Sequence, residues 1–437
     1  MSTVDKLAIL GGEKAIPQQF ALYNPIGSEE VAAAAAVVES GVLSQFIGRG
    51  GTDFLGGPKV REFEQAMSEY FDVEHAISVN SWTSGLIASV GALDIEPGDE
   101  IIVTPWTMCA SATAILIWNA IPVFADIDPQ TFCLDPKSVE DNITPHTRAI
   151  MSVDIGGHPA NTDALNAIAK KHGLKVISDT AQAPGATLRD KFAGTLTDLG
   201  GYSLNYHKHI HTGEGGVVVT NDSNLAERVR LIRNHGEHVA HDIGLSQINN
   251  IIGFNFRLGE IESAIGIAQL KKLDKFVATR RRAAERLTQG LKDLAGLETP
   301  FVAPDCTHSY YMYFMKVDPE ITGVSRNDIH KALVAEGVPG LGTSYANIHL
   351  LPMYQQKIAY GKAGFPWKSD ICRREVSYAK GICPVAEDLQ DRTYLGFQMC
   401  MHEMTDAEVD AMVQAFHKVW RNMHLLPQLD GQNVKAS

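Results

Sequence analysis

Apolar positions in the first half of the chain fall into short unbroken runs separated by longer stretches of helical spacing. The runs cover residues 76–79, 100–104, 122–125, 149–153, 175–178 and 216–220. Several are β-branched and apolar at nearly every position, as strands covered on both faces must be. Residues 83–93 and 162–172, and later 258–272 and 276–294, instead repeat their apolar side chains at the period of one helix face. A further helix carries the alanine run Ala32 to Ala36 and starts after Ser28. Strand and helix in alternation predict an α/β fold, with a mostly parallel central sheet flanked by helices.

Beyond about residue 295 the pattern turns to mixed α+β. Residues 310–317 read as a strand and 406–420 as an amphipathic closing helix, while 301–304 and 318–323 hold turn residues. The helix over 276–294 is long enough to link two domains. The expected organisation is an N-terminal arm over 1–30, a large domain over 31–285 and a smaller α+β domain over 286–437. The polar tail from Pro427 is expected to be loose.

Composition agrees: 437 residues at 45% hydrophobic can bury one large core and a smaller one. A net charge of -13 leaves no electrostatic footprint for nucleic acid, which demands clustered Lys and Arg. The densest basic spot, Arg280-Arg281-Arg282, lies within a helical pattern and reads as a solvated face. Six scattered cysteines without a Cys-x-x-Cys pair fit reduced thiols in a cytoplasm. The N-terminus shows no charged region followed by an apolar stretch, so no secretory signal is expected. The most apolar segment, 112–125, is interrupted by Asn119 and Pro122 and is too short to span a bilayer. A cytoplasmic protein with neither membrane nor nucleic-acid partner is the expectation.

Three segments carry candidate chemistry. In Ser203-Leu204-Asn205-Tyr206-His207-Lys208-His209-Ile210-His211-Thr212-Gly213-Glu214-Gly215-Gly216, a lysine sits in a tight polar turn ahead of glycines. An amine that loses solvent there has a lowered pKa and becomes a nucleophile; most lysines are instead solvated surface groups. In Val176-Ile177-Ser178-Asp179-Thr180-Ala181-Gln182, an aspartate ends a buried strand, where open α/β sheets build their sites. Asp179 either holds a pyridine nitrogen protonated, making the ring an electron sink, or caps the next turn. In Val79-Asn80-Ser81-Trp82-Thr83-Ser84-Gly85, a strand gives way to a helix. The N–H groups and hydroxyls of Thr83 and Ser84 suit either a phosphate or an ordinary N-cap.

Taken together and in this order, the three segments resemble the fold-type-I, aspartate aminotransferase-like sugar aminotransferases of the DegT/DnrJ/EryC1/StrS family. The resemblance runs from about Leu7 to Trp420. It is supported by Gly57-Pro58 with Phe63-Glu64, Pro97-Gly98-Asp99-Glu100, Ala125-Asp126-Ile127-Asp128 and Gly253-Phe254-Asn255-Phe256-Arg257. The resemblance implies pyridoxal 5'-phosphate as cofactor, carried by Lys208 as a Schiff base, with Asp179 paired to the ring nitrogen. Gln182 would lie against the ring or its phenolic oxygen. Thr83, Ser84 and Ser203 would hold the phosphate, and Asn255 would complete the site of a neighbouring subunit, which implies a homodimer. Counting back from Gly213-Glu214-Gly215-Gly216 places Lys208, not His209, at the Schiff-base position.

The chain departs from the family pattern in places. Where an aromatic ring usually stacks on the cofactor, Pro105-Trp106-Thr107-Met108-Cys109 puts Met108, whose thioether also contacts π faces; Trp106 reads as a packing residue. Asp154 and Gly156 replace the family's common His and Tyr after the fourth strand. A glycine-rich loop over 46–56 carries Arg49, placed either to meet an anion or to lie in solvent. His349 resembles a family position that reaches toward substrate. The expected activity is ping-pong transfer of an amino group from an amino acid, L-glutamate or glutamine, to a keto or aldehyde sugar of cell-surface polysaccharide, lipopolysaccharide or amino-sugar biosynthesis. An acidic 3-deoxy-octulosonate-type sugar, giving an 8-amino-3,8-dideoxy-octulosonate, is set against nucleotide-linked keto-deoxy sugars and keto-inositols. Two other classes are a non-catalytic pyridoxal-phosphate sensor and a metal-dependent hydrolase built on His207, His209 and His211. The histidines come without a carboxylate or thiolate ligand set, so no metal is expected.

Overall fold

The computed structural model describes residues 6–428. Of the polar tail, residues 429–437 lie outside the described residues, as do residues 1–5. The strands of the first half are β1 (His75–Val79), β2 (Glu100–Val103), β3 (Ile121–Phe124), β4 (Thr147–Val153) and β5 (Lys175–Asp179). They are followed by a hairpin of β6 (Thr187–Leu188) and β7 (Lys191–Phe192), then β8 (Leu199–Ser203) and β9 (Gly216–Thr220). Seven of them form one sheet in the order β1-β9-β8-β5-β4-β2-β3. β9 runs antiparallel to both neighbours and every other pair is parallel. Ile77, Ile102, Val103, Ile150, Met151 and Ile177 are fully buried within it, because helices cover both faces.

The helices that bear on the site are α1 (Ser28–Ser40), α2 (Pro58–Phe71), α3 (Trp82–Ala92) and α4 (Ala110–Ile117). α3 and α4 are apolar all round and sit inside the large core rather than over it. The strand β8, Leu-Gly-Gly-Tyr-Ser, was not expected from the pattern, since two glycines break its apolar run. Its glycines answer to crowding: a Cβ on Gly201 would lie 2.2 Å from the Trp82 ring, and one on Gly200 would lie 1.9 Å from the Gly194 carbonyl oxygen.

A second, antiparallel sheet is built from β10 (Leu297–Glu298), β11 (Met312–Val317), β12 (Leu341–Gly342) and β13 (Tyr394–Gln398), in the order β10-β11-β13-β12. Its core takes in Leu7, Ile16 and Phe20 of the N-terminal arm, and Ala283, Leu287 and Leu291 of the linking helix Leu273–Leu291. The boundary expected at 285/286 therefore falls inside a helix, and Leu7, Ile16 and Phe20 of the arm belong with the smaller core. Buried Glu336 fastens the arm: it accepts from the N–H groups of Ala8 (2.8 Å) and Ala15 (3.0 Å) and pairs with Lys418 at 2.8 Å. The stretch between β12 and β13 does not stay in the small domain. Ile348, Tyr354, Trp367 and Tyr378 join the large core, and the Tyr378 hydroxyl donates to the Pro122 carbonyl at 2.7 Å.

Candidate active site

The parallel strands β4, β5 and β8 all end on one side of the sheet, and β9 reverses direction beside them. A cavity opens at those ends, lined by Ser81, Trp82 and Thr83 from the start of α3, Thr107, Met108 and Ala110 ahead of α4, and Val153 from β4. Asp179, Ala181 and Gln182 follow from β5, and Ser203, Asn205, His207, Lys208, Glu214 and Gly215 from β8 and the turn beyond it. This is where open α/β sheets place their ligands. Six of the sequence candidates meet here: Thr83, Met108, Asp179, Gln182, Ser203 and Lys208.

The turn that holds Lys208 is closed by its own backbone. Lys208 N–H donates to the Asn205 carbonyl at 2.9 Å, and Thr212 N–H to the Leu204 carbonyl at 3.0 Å. Gly213, with φ of 87°, supplies the left-handed step that brings the chain back into β9. Lys208 is only 7% exposed, and burial pushes its amine down to about 8, opposed by the nearby Asp179 charge. Its Nζ stands 4.2 Å from the centroid of the Tyr311 ring, a contact that favours the charged amine and fixes its position. His207, beside it, is held down to about 4 by burial and the Lys208 charge.

Asp179 is held from three sides. Trp82 Nε1 donates to Oδ1 at 2.6 Å, Ser111 Oγ to Oδ2 at 2.7 Å, and Ala181 N–H to Oδ1 at 3.2 Å. Burial pushes its carboxyl up, while these donors and the charge of Lys208 pull it back down. A carboxylate accepts about four hydrogen bonds, so one place, on Oδ2, stays open. Gln182 is fixed at both ends, with Oε1 accepting from Gly156 N–H at 2.8 Å and Nε2 donating to the Tyr345 hydroxyl at 2.7 Å.

Other candidates fall elsewhere. Ser84 does not line the cavity: its hydroxyl donates to Asn80 Oδ1 at 2.7 Å and its N–H to Ser81 Oγ at 3.0 Å, the capping role, and Ser81 faces the cavity in its place. His349 is fully buried, with Nε2 2.9 Å from Glu387 Oε1 and its ring against Phe124; it is a core residue and does not reach the cavity. Arg49 is exposed on the 46–56 loop, outside the lining. Asn255 is exposed and outside the lining, its Oδ1 accepting from Arg257 Nε at 2.8 Å and its carbonyl from Asn80 Nδ2 at 3.3 Å. Asp154 serves the scaffold, accepting from Ala160 N–H at 2.7 Å and the Thr180 hydroxyl at 2.6 Å, with burial pushing its carboxyl up to about 6. Trp106 packs as expected, fully buried against Tyr345 and Tyr394. The three histidines diverge: His209 gives Nε2 to the Ser309 carbonyl at 2.8 Å, and His211 Nδ1 accepts from Gly213 N–H.

Trp82, Ser111 and Tyr311 were missed by sequence reasoning. A signal existed for the first, since a large ring on the first turn of an apolar helix has to be housed, and Gly85 and Gly201 are the residues that house it.

A buried lysine with a lowered pKa and an ionisable acid with one open acceptor, flanked by the hydroxyls and N–H groups at the start of a helix, make a donor set that fits pyridoxal phosphate. Fold and site together define a fold-type-I pyridoxal-phosphate enzyme. The chain belongs to the DegT/DnrJ/EryC1/StrS aminotransferase family, whose profile matches residues 40–416, and it is a pyridoxal-phosphate-dependent aminotransferase. It is 34% identical over 358 residues to the spore coat polysaccharide biosynthesis protein SpsC of Bacillus subtilis, covering 80% of this chain and 89% of that protein. It is 38% identical over 299 residues to GDP-perosamine synthase of Caulobacter vibrioides, covering 68% and 79%. The structure of DesI, determined in the presence of its TDP-sugar product, superposes with a TM-score of 0.79 at 26% identity, covering 98% of this chain and all of that one. The sensor and hydrolase readings give way to this assignment.

Proposed function

We propose that the enzyme moves the amino group of L-glutamate to the keto carbon of a nucleotide-linked deoxy sugar, in the biosynthesis of cell-surface polysaccharide or amino sugars. The observation that carries the chemistry is the joint presentation of the Lys208 amine and the Asp179 carboxylate to one cavity. The sugar is supported by the relatives: one makes GDP-perosamine, one serves spore coat polysaccharide, and one was solved with a TDP-sugar. The acidic octulosonate reading drew on Met108, Asp154 and the Arg49 loop; Met108 lines the cavity, whereas Asp154 and Arg49 do not. Nucleotide-linked sugars are therefore preferred.

When bound, pyridoxal phosphate supplies an electron sink that stabilises a carbanion. Lys208 would hold the cofactor through its nucleophilic Nζ, and its free amine would take the proton from the α-carbon of the amino donor and return it to carbon. Asp179, ionised, would accept a hydrogen bond from the protonated ring nitrogen and so hold that nitrogen positive. The hydroxyls of Ser81, Thr83 and Ser203, with the N–H groups opening α3, hold the phosphate. Gln182, braced between Gly156 and Tyr345, sets the remaining wall.

A second copy of the chain completes each site in this reading, with Asn255 reaching across a homodimer; its exposure supports that role. Six free cysteines fit work in the cytoplasm. The test is a screen of cofactor-loaded enzyme with glutamate against a nucleotide-linked keto-deoxy sugar, a keto-inositol and the acidic eight-carbon keto sugar, read as 2-oxoglutarate release. Turnover with the nucleotide-linked sugar is expected; turnover only with one of the others overturns the substrate assignment.

A further inference from the structure

Trp82 joins the start of α3 to the Asp179 carboxylate. It opens α3 directly after the N-cap Ser81, where the helix start faces the cavity. Its ring nevertheless runs inward and is only 5% exposed. The slot for it is made by glycines on two other turns of chain: a Cβ on Gly85 would stand 2.7 Å from the indole, and one on Gly201 of β8 2.2 Å from it. The glycines abut the six-membered ring of the indole, which a smaller phenyl ring would only partly replace. The indole N–H is what distinguishes this side chain, and it ends on Asp179 Oδ1 at 2.6 Å.

We propose that Trp82 is a positioning residue for amino transfer, its N–H fixing the rotation of the Asp179 carboxylate so that Oδ2 is presented to the ring nitrogen of the cofactor. Trp82 and Ala181 N–H fill the two acceptor places of Oδ1, and Ser111 fills one of the two on Oδ2. The remaining place is the one a protonated ring nitrogen takes. An indole N–H donates only and does not titrate, so it supports the ionised carboxylate across the whole working pH range. Burial drives the carboxyl toward its neutral form, and this donor acts against that drive. The missed strand β8 follows from the same arrangement, since a side chain at position 201 would evict the indole.

The inference rests on Asp179 being the partner of the ring nitrogen, and the experiment separates the two. Trp82→Phe keeps a ring in the slot and removes the N–H. Apoprotein of the wild type, Trp82→Phe, Asp179→Asn and the double variant is titrated with pyridoxal phosphate, and the loaded forms are followed by visible absorbance from pH 5 to 10. Loss of one hydrogen bond to a charged group is expected to weaken cofactor binding by about ten- to a hundred-fold in Trp82→Phe. The midpoint of the pH-dependent colour change should rise, because a ring nitrogen less firmly protonated draws less electron density from the conjugated lysine nitrogen. In the Asp179→Asn background, Trp82→Phe should add little, and kcat should fall more than KM changes in the single variant. Shifts in Asp179→Asn with none in Trp82→Phe overturn the inference alone; no shift in either overturns the Asp179 assignment and the inference with it. Should the phenylalanine variant not fold, 3-benzothienylalanine at position 82 preserves the indole's shape with sulfur in place of the N–H, and is scored in the same way.

Discussion

At the floor of the cavity, polar side chains are tied to neighbours on several elements. Asp179 is bonded to α3, α4 and its own turn, Gln182 spans from Gly156 to Tyr345, and Lys208 rests on Tyr311 from the edge of the second sheet. At the mouth, Met108 is exposed, and its sulfur is engaged by its neighbours, Cys109 Sγ at 3.2 Å and Ala110 N–H at 3.4 Å. The floor is preorganised for one cofactor geometry, whereas the mouth is free to be set by whatever enters. Variants at the floor should thus act on chemistry and on the cofactor, and variants at the mouth on little besides substrate.

The largest effect is expected at Lys208. Lys208→Ala removes the nucleophile and proton carrier together and should lower turnover by more than the roughly 10²–10⁴-fold assigned to general acid–base action alone. Cofactor should remain bound, but come away on gel filtration in denaturant even after borohydride treatment, which fixes it to Lys208 in the wild type. Normal turnover in this variant would sink the assignment. Asp179→Asn, which keeps the shape and removes the charge, comes next, with a loss in kcat of about 10²–10³-fold, the range for removal of a preorganised electrostatic group. If a substitution at Met108 matched either loss, the contrast between floor and mouth would be broken.

That contrast also explains what was legible in the sequence. Lys208 was marked by the glycines between it and β9, whereas Asp179 and Gln182 stand at the end of β5 and in the turn that follows, so a run of apolar residues pointed to them. The strands covered on both faces were readable for the same reason, and β8 was not, because Gly200 and Gly201 answer to neighbours distant in sequence. Trp82 and Ser111 lie on helices that are apolar all round, so the single face expected over 83–93 is not what the structure shows, and periodicity marked neither residue. His349 resembled a site residue because the segment around it follows a family pattern. The fold instead returns that segment to the large core, where Glu387 claims the imidazole. The residue type was visible, but the path of a long connection between two strands was not.

The buried amine gives a prediction on stability. Its pKa falls from 10.5 to about 8 on folding. Between those values the unfolded chain binds a proton that the folded chain does not, so stability of the apoprotein from this group rises with pH across the window. Below about pH 8 the folded chain carries the full burden of a buried charge, on the order of 3 kcal/mol. Lys208→Met should accordingly stabilise the apoprotein at pH 7 by up to about that amount, less the lost contact with Tyr311, and the gain should shrink toward pH 10. Urea unfolding of both apoproteins at the two pH values measures it; a gain independent of pH would mean that packing, not charge, was relieved.

The smallest effect is expected at the mouth. Met108 occupies the position where relatives of this resemblance stack an aromatic ring, yet here it is 59% exposed. A thioether against a ring contributes about 0.3–1.5 kcal/mol, and an exposed one falls at the lower end. Met108→Leu keeps volume and apolar character and removes the sulfur, so the dissociation constant for pyridoxal phosphate should change by less than about threefold. The sulfur contacts with Cys109 and Ala110 are local to the start of α4, and α4 is anchored independently through Ser111 on Asp179. If Met108→Leu instead weakened the cofactor as strongly as Trp82→Phe, the mouth would have to be counted as part of the preorganised floor. A weakening confined to KM for the sugar acceptor would leave the division intact and mark Met108 as a surface that the incoming substrate crosses.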